Sequence, residues 1–401
     1  MPRRTLLFAL MLLVVCRSAI GADGLIELIA EGKTFQGKQI AHDQHTCFLA
    51  DREGRLIEVS LDKVTAFRSV EPAFRPIPAA ELRDRLKQEL GPDYEVVAQG
   101  HYVVCAPRGR SVAYAKILNE AHHRFHEYFR VRKFELKPVD FPLVTVVYPT
   151  RELFFDQCRT DNVPVADSLR GYYLATNNRI AFFDEESPNP VQVATSSPLK
   201  KSTTAAAAGK KKPGISPLPT AHSHALSKGD PLTGLSRDTT VHEAIHQLAY
   251  NTGLHARVGQ TPLWVVEGLA MQFENGGNDK SKSDINLSRL QNFQDYRPSR
   301  AAGALTDLVS SNKLFTKLPV ETYSDAWMLT YYLIQTRPAK FQEYLKTLAF
   351  RAPVEYDAET RVSDFKLAFG EDLAWFEVEY LRFADDTIAE HLPEPKKPAR
   401  R

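Results

Sequence analysis

Hydrophobic and polar positions change their rhythm several times along the chain. After an apolar start, residues 23–75 carry short alternating runs at 25–29, 39–41, 46–50, 56–61 and 64–67. Gly32, Gly37 and the turn Asp51, Arg52, Glu53, Gly54 break them. Period-two alternation with turn residues between the runs predicts strands. Five short strands so close together suggest a small SH3-like β module, or else a plain β extension of the next domain. Residues 76–93 read as a linker with one helix at 79–90. From 94 to 186 the order is α/β: a strand-like run at 94–106, a helix at 111–129 with Val112, Ala115, Leu118, Ala121, Phe125 and Phe129 near one face, and a buried-type strand at 141–148. A helix capped by Thr150 comes next at 151–158, then a hairpin turning at Asn177 and Asn178.

Residues 187–237 break this rhythm. They hold Ser, Thr, Pro and Lys, an alanine tetrad (205–208) and Lys210, Lys211, Lys212, with no aromatic residue. They read as a disordered insertion, with an activation loop or basic docking strip as the functional alternative. From 238 to 390 helical periodicity dominates, with helices expected at 238–251, 262–274, 303–310, 324–336, 338–349, 363–369 and 371–386. Residues 391–401 form a loose tail. The fold class is therefore α+β: a small β module, an α/β segment and a mostly helical C-terminal part.

Composition narrows the function classes. The 401 residues are 43% hydrophobic and 25% charged, as in ordinary globular proteins. Basic and acidic residues number 51 and 49, and the lysine clusters at 200–201 and 210–212 lack interleaved aromatics, so no nucleic-acid partner is expected. The only strongly apolar run spans 6–16, 11 residues, where a membrane-spanning helix needs roughly 20. With Arg3 and Arg4 before it, and Ala19 and Gly21 after it, it reads as a signal peptide over 1–21. Lipidation at Cys16 and an uncleaved apolar terminus are the rivals. Cleavage removes Arg3, Arg4 and Arg17, leaving 48 basic against 49 acidic residues. The product is expected outside the cytoplasm, in a periplasm or beyond, with no membrane association after cleavage. Cys47, Cys105 and Cys158 remain, either as one disulfide plus a thiol or as three buried thiols.

The chemistry concentrates at His242, Glu243 and His246, a His-Glu-x-x-His pattern inside a helix that Ser236 or Asp238 can cap and Gly253 can end. Residues i and i+4 share a helix face, so both imidazoles can aim at one cation. Glu243 projects about 100° away, beside the cation rather than on it. A hydrolytic zinc site needs a third protein ligand. The metzincin positions hold Ala249 and Thr252, which excludes a third histidine there. Twenty residues separate His246 from Glu267, which stands in a run with Trp264, Gly268 and Ala270. Thr261 as cap and Pro262 as first helical residue would place Glu267 on a second helix that can pack back antiparallel, with Gly268 allowing close helix approach.

His-Glu-x-x-His followed at this distance by Trp-x-x-Glu-Gly-x-Ala resembles the gluzincin metallopeptidases, and is most similar to the peptidase-MA-like domains of exported bacterial proteins. The resemblance is specific over 238–274 and looser over about 95–390. It implies one Zn²⁺ per chain held by His242, His246 and Glu267, Glu243 as general base, and a peptide or protein substrate. It also implies Tyr323 as the donor to the developing oxyanion. The Gly-x-Met-Glu-Asn segment of the aminopeptidase relatives is absent, which argues against aminopeptidase activity. A catalytically silent, peptidase-like binding protein using the cleft and the β module is the alternative. Glu274, two turns after Glu267, is a candidate to orient a ligand histidine, although solvent exposure is the commoner fate of such a residue. His122 and His126 share i,i+4 spacing but lack a third ligand nearby in sequence, and His255 comes just after the motif helix; neither is expected to bind metal. Trp264, Phe273, Tyr331 and Tyr332 read as core. Oligomeric state is left open.

Overall fold

The computed structural model describes residues 24–184, 235–274, 285–351 and 356–392. The expected signal peptide over 1–21, nearly all of the 187–237 stretch and nearly all of the expected C-terminal tail lie outside the described residues. Their contacts group into two compact units, one of 24–117 with 140–184 and 235–239, the other of 118–139 with 240–392. The architecture is α+β, with two sheets in the N-terminal part and a mostly helical C-terminal part.

In the first unit, all five expected short strands form: β1 (Leu25–Ala30), β2 (Lys33–His42), β3 (Thr46–Ala50), β4 (Leu56–Ser60) and β5 (Val64–Glu71). They pair antiparallel in the order β4-β3-β2-β1-β5, so the fifth strand returns to the first. Strand β2 is longer than its apolar run because Lys33 pairs with Ala30 across the tight turn at Glu31 and Gly32. Ile26, Leu28, Ala30, Cys47, Leu49 and Val59 make the core on one face of this sheet.

Helix α1 (Ala79–Leu90) leads to the second sheet, of order β6-β7-β8-β10-β9. The run read as one strand at 94–106 is a hairpin, β6 (Tyr94–Gln99) and β7 (Tyr102–Pro107), folded at Gly100, whose φ of 60° suits glycine. Helix α2 (Ser111–Val131) is the crossover that lets β7 and β8 (Leu143–Tyr148) run parallel. Strands β7 and β8 are buried along their whole length, which explains their unbroken apolar sequence. Thr150 caps α3 (Arg151–Thr160) as expected, accepting from Leu153 N at 3.3 Å. Strands β9 (Gly171–Leu174) and β10 (Arg179–Phe183) turn at Asn178 with φ 57°. Leu82 and Leu86 of α1 and Phe154 and Cys158 of α3 pack on one face of this sheet with Val103, Val144 and Tyr172. Cys47, Cys105 and Cys158 are all buried thiols.

The helical part comprises α4 (Leu235–Asn251), α5 (Leu263–Ala270), α6 (Leu287–Tyr296), α7 (Ala304–Ser310), α8 (Leu314–Lys317), α9 (Pro319–Thr336), α10 (Pro338–Phe350), α11 (Ala358–Phe369) and α12 (Leu373–His391). Three differences from the sequence expectation have physical causes. Helix α9 starts five residues early, because Pro319 is a favourable first-turn residue and its exposed Val320 hides the periodicity. Helix α11 starts early because Asp357 caps it, accepting from Thr360 N at 2.7 Å. Helix α6 has no counterpart in the sequence expectation, because it buries only Leu290 and Phe293 and so carries little periodicity. Among the described residues no helix is long and apolar enough to cross a membrane.

Candidate metal centre

The motif helix α4 begins at Leu235, so Ser236 and Asp238 lie inside it rather than ahead of its first turn. Gly253 ends it as expected, with φ +83°. His242, Glu243 and His246 lie on its buried stretch, each at most 1% exposed. The two imidazole rings stand 4.6 Å apart, centre to centre.

Helix α5 delivers Glu267. Its start corrects the sequence expectation: Pro262 is the N-cap residue, the first helical residue is Leu263, and no side chain of Thr261 or Pro262 caps it. The Asn312 side chain does part of that work, its Oδ1 accepting from Leu263 N at 3.3 Å and from Arg361 Nη1 at 2.9 Å. Gly268, next to the glutamate, does permit a close helix approach, and the helix admitted is α9. A Cβ at 268 would fall within contact distance of Thr330 Oγ1 and 2.5 Å from the Ala326 carbonyl oxygen. Gln272 Nε2 clamps the same pair, donating to Gly268 O and Trp327 O at 3.0 Å each. Gly268→Ala should therefore lower stability by about 1–3 kcal/mol. Thermal unfolding checks this, at roughly 2–4 °C per kcal/mol. Adding Thr330→Ala should restore only part of the loss, because the Ala326 carbonyl is backbone.

These helices bring His242, His246 and Glu267 together. Glu267 Oε2 lies 3.4 Å from His242 Nε2 and 3.9 Å from His246 Nε2. One ligand atom from each residue lies within 4.8 Å of the others, and all three residues are buried. Donors about 2.0–2.1 Å from one tetrahedral ion stand roughly 3.4 Å apart, so only a small contraction is needed. Among the described residues this is the one group of three or more His, Cys, Asp or Glu side chains so arranged. The donors also respond to one another. Burial disfavours charge on His242, but its hydrogen bonds to Glu267 and Glu274 outweigh that and hold its pKa up to about 10. Burial, then the nearby His242 and His255, push His246 well below its ordinary value. Burial raises Glu267, against the pull of His242. Two buried histidines facing a buried carboxylate have the electrostatics and donor atoms that a divalent cation needs.

Glu274 is buried, not exposed, and its Oε1 lies 2.8 Å from His242 Nδ1. Tyr323 lies in the second turn of α9, its ring edge-on to Phe315 at 5.1 Å. Burial first, and then the charges of Glu267, Glu243 and Glu274 acting against Arg289, hold its hydroxyl pKa well above 10. The structure thus brings Tyr323 within electrostatic reach of the glutamates of the site. His255 is buried over the Tyr250 ring, 5.1 Å between centres, and burial lowers its pKa to about 4. The rings of His122 and His126 lie 4.3 Å apart, tilted at 43°, and belong to no ligand group among the described residues. Trp264 and Phe273 are core, as expected, and so is Tyr332; Tyr331 stacks on Trp327 at 5.6 Å.

Two residues of the site are absent from the sequence reading. Asn286 and Arg289 both bond to Glu274 from the start of α6. The available signal was Asn286 as a helix cap, with Leu290 and Phe293 three residues apart beyond it.

No curated protein matches the chain. Residues 236–355 match a family model described as a protein of unknown function (DUF1570), so over the stretch that carries His242, Glu243, His246, Glu267 and Tyr323 the chain is similar to that family.

Proposed function

We propose that the chain is an exported zinc metallopeptidase of gluzincin type. The observation that carries this reading is the buried convergence of His242, His246 and Glu267, with Glu243 beside the first histidine on the same helix. Two histidines and one carboxylate also suit ferrous iron. The adjacent Glu243, which is not among the three grouped residues, favours hydrolysis. The Arg3, Arg4 and 6–16 run supports export.

His242, His246 and Glu267 would hold a zinc ion, which when bound would supply Lewis acidity toward a scissile carbonyl and a water. Glu243, buried and outside the ligand group, would accept a proton from the attacking water and pass it to the leaving amine. Tyr323 keeps its proton in this environment, so its hydroxyl donates to the oxygen on which negative charge develops. Glu274 holds His242 in place through Nδ1.

Elemental mass spectrometry of the purified chain, dialysed against metal-free buffer, tests this reading. The expected result is about one zinc per chain, lost in His246→Ala, and cleavage within a peptide library. If the chain takes up no zinc, the reading fails at the metal; a zinc-loaded chain inert to every peptide points to the silent binding protein instead.

A further inference from the structure

The acid that holds His242 is itself held. Glu274 Oε2 accepts from Arg289 Nε at 3.0 Å and from Asn286 Nδ2 at 3.1 Å. Its Oε1 accepts from Arg289 Nη2 at 3.2 Å and faces His242 Nδ1 at 2.8 Å. A carboxylate offers about four lone-pair positions. Three of them here meet groups that can only donate, and the paired guanidinium fixes the plane of the carboxylate. The fourth position therefore takes the proton of His242 Nδ1. That leaves Nε2, 3.4 Å from Glu267 Oε2, as the nitrogen of His242 that gives up its proton when a metal binds. From these contacts we infer that Arg289, helped by Asn286, is a positioning residue that fixes the tautomer and orientation of His242 and so sets the metal affinity of the site. This rests on the metal reading above.

The start of α6 is built for this task. Asn286 Oδ1 caps the helix, accepting from Arg289 N at 3.1 Å. Its Nδ2 also donates to Met271 O at 3.1 Å, which ties the cap to the turn after α5. The cap thus fixes the backbone of Arg289, and its amide sets the distance to Glu274. The Arg289 side chain is 11% exposed, and its guanidinium lies 6.0 Å above the Tyr323 ring. One arginine therefore bonds the acid behind His242 and lies over the ring of Tyr323. Arg297, just past the end of α6, pairs instead with the surface Asp385 and has no such position.

Competition with a chromophoric zinc chelator reads the affinity directly. Arg289→Met should bind zinc about 10–100-fold more weakly than the wild type. Arg289→Lys, a point charge without the paired donors, should recover part of the loss. Arg297→Met should leave affinity unchanged. In the metal-free protein, proton–nitrogen spectra should show a slowly exchanging, strongly hydrogen-bonded Nδ1–H of His242 in the wild type and an exchange-broadened one in Arg289→Met. If Arg289→Met does not fold, as judged by far-UV circular dichroism, Asn286→Asp gives the same test: it keeps the cap oxygen, removes the Nδ2 donor and should weaken zinc binding. A folded Arg289→Met or Asn286→Asp that binds zinc within about twofold of wild type overturns the inference. A wild-type chain that takes up no zinc overturns the metal reading and this inference with it.

Discussion

Glu243→Gln should leave zinc bound and remove hydrolysis. Glutamine matches glutamate in shape, so the fully buried position on α4 stays filled. The ligand group of His242, His246 and Glu267 does not include residue 243, so metal content should stay at the wild-type level. What disappears is the ability to accept a proton. An amide has no basicity near neutral pH, and losing a positioned general base slows turnover on the order of 10²–10⁴-fold. Tyr323 cannot take over, because a hydroxyl held well above its ordinary pKa is a donor, not a base. The check pairs zinc content with the rate on the best peptide from the library. Turnover within about tenfold of wild type would mean that another group moves the proton.

The second large effect concerns stability. Arg300→Met should cost about 3–5 kcal/mol, the usual loss when one partner of a buried ion pair is removed. The Arg300 side chain is 1% exposed and serves two acids. Its Nε donates to Asp325 Oδ2 at 2.9 Å and its Nη1 to Glu377 Oε1. Asp325 also accepts from the Tyr380 hydroxyl at 2.6 Å, and Glu377 accepts from Gly303 N and Leu305 N at 3.0 Å, capping α7. Methionine would fill the space of the stem but leave Asp325 with no cation. Burial already raises the Asp325 pKa in spite of Arg300. An acid with a raised folded pKa is stabilising in its protonated form and loses that contribution as pH rises through the raised value. The deficit of Arg300→Met should therefore be largest near neutral pH and shrink as the pH falls into the carboxyl range. Denaturant unfolding at several pH values measures this, and a pH-independent deficit would assign the loss to packing. Asp325 lies two residues after Tyr323 on α9, so a loosened network also loosens the tyrosine.

What could be read from the sequence was local. His242, Glu243 and His246 lie within one turn and a half, and helical spacing alone puts the histidines on one face. Glu267 was reachable because a short loop and half a helix fit between it and His246. Strands β1 to β5 were legible because alternation and glycine turns mark each one. What was missed depends on contacts made far along the chain. The burial of Glu274 is decided by Arg289, on a helix with only two buried residues and an exposed Leu287, too weak a pattern to read. The start of α5 is decided by Asn312, whose amide does what Thr261 seemed placed to do. The partner of Gly268 was hidden too, since a glycine announces a close approach without naming the neighbour.

The stretch that matches the unknown-function family ends before α11 and begins after α2. Trp264, three residues before Glu267, lies against Tyr344 at 5.9 Å and Phe365 at 6.0 Å. Tyr332 packs on Phe376 and Tyr380, Phe273 on Phe125, and Asn312 holds Arg361. Phe365, Phe376, Tyr380, Phe125 and Arg361 all lie outside the matched stretch. Residues 236–355 thus hold the proposed site but are not a unit of folding. Excised, they would keep every proposed ligand and open the core that holds the ligands in register.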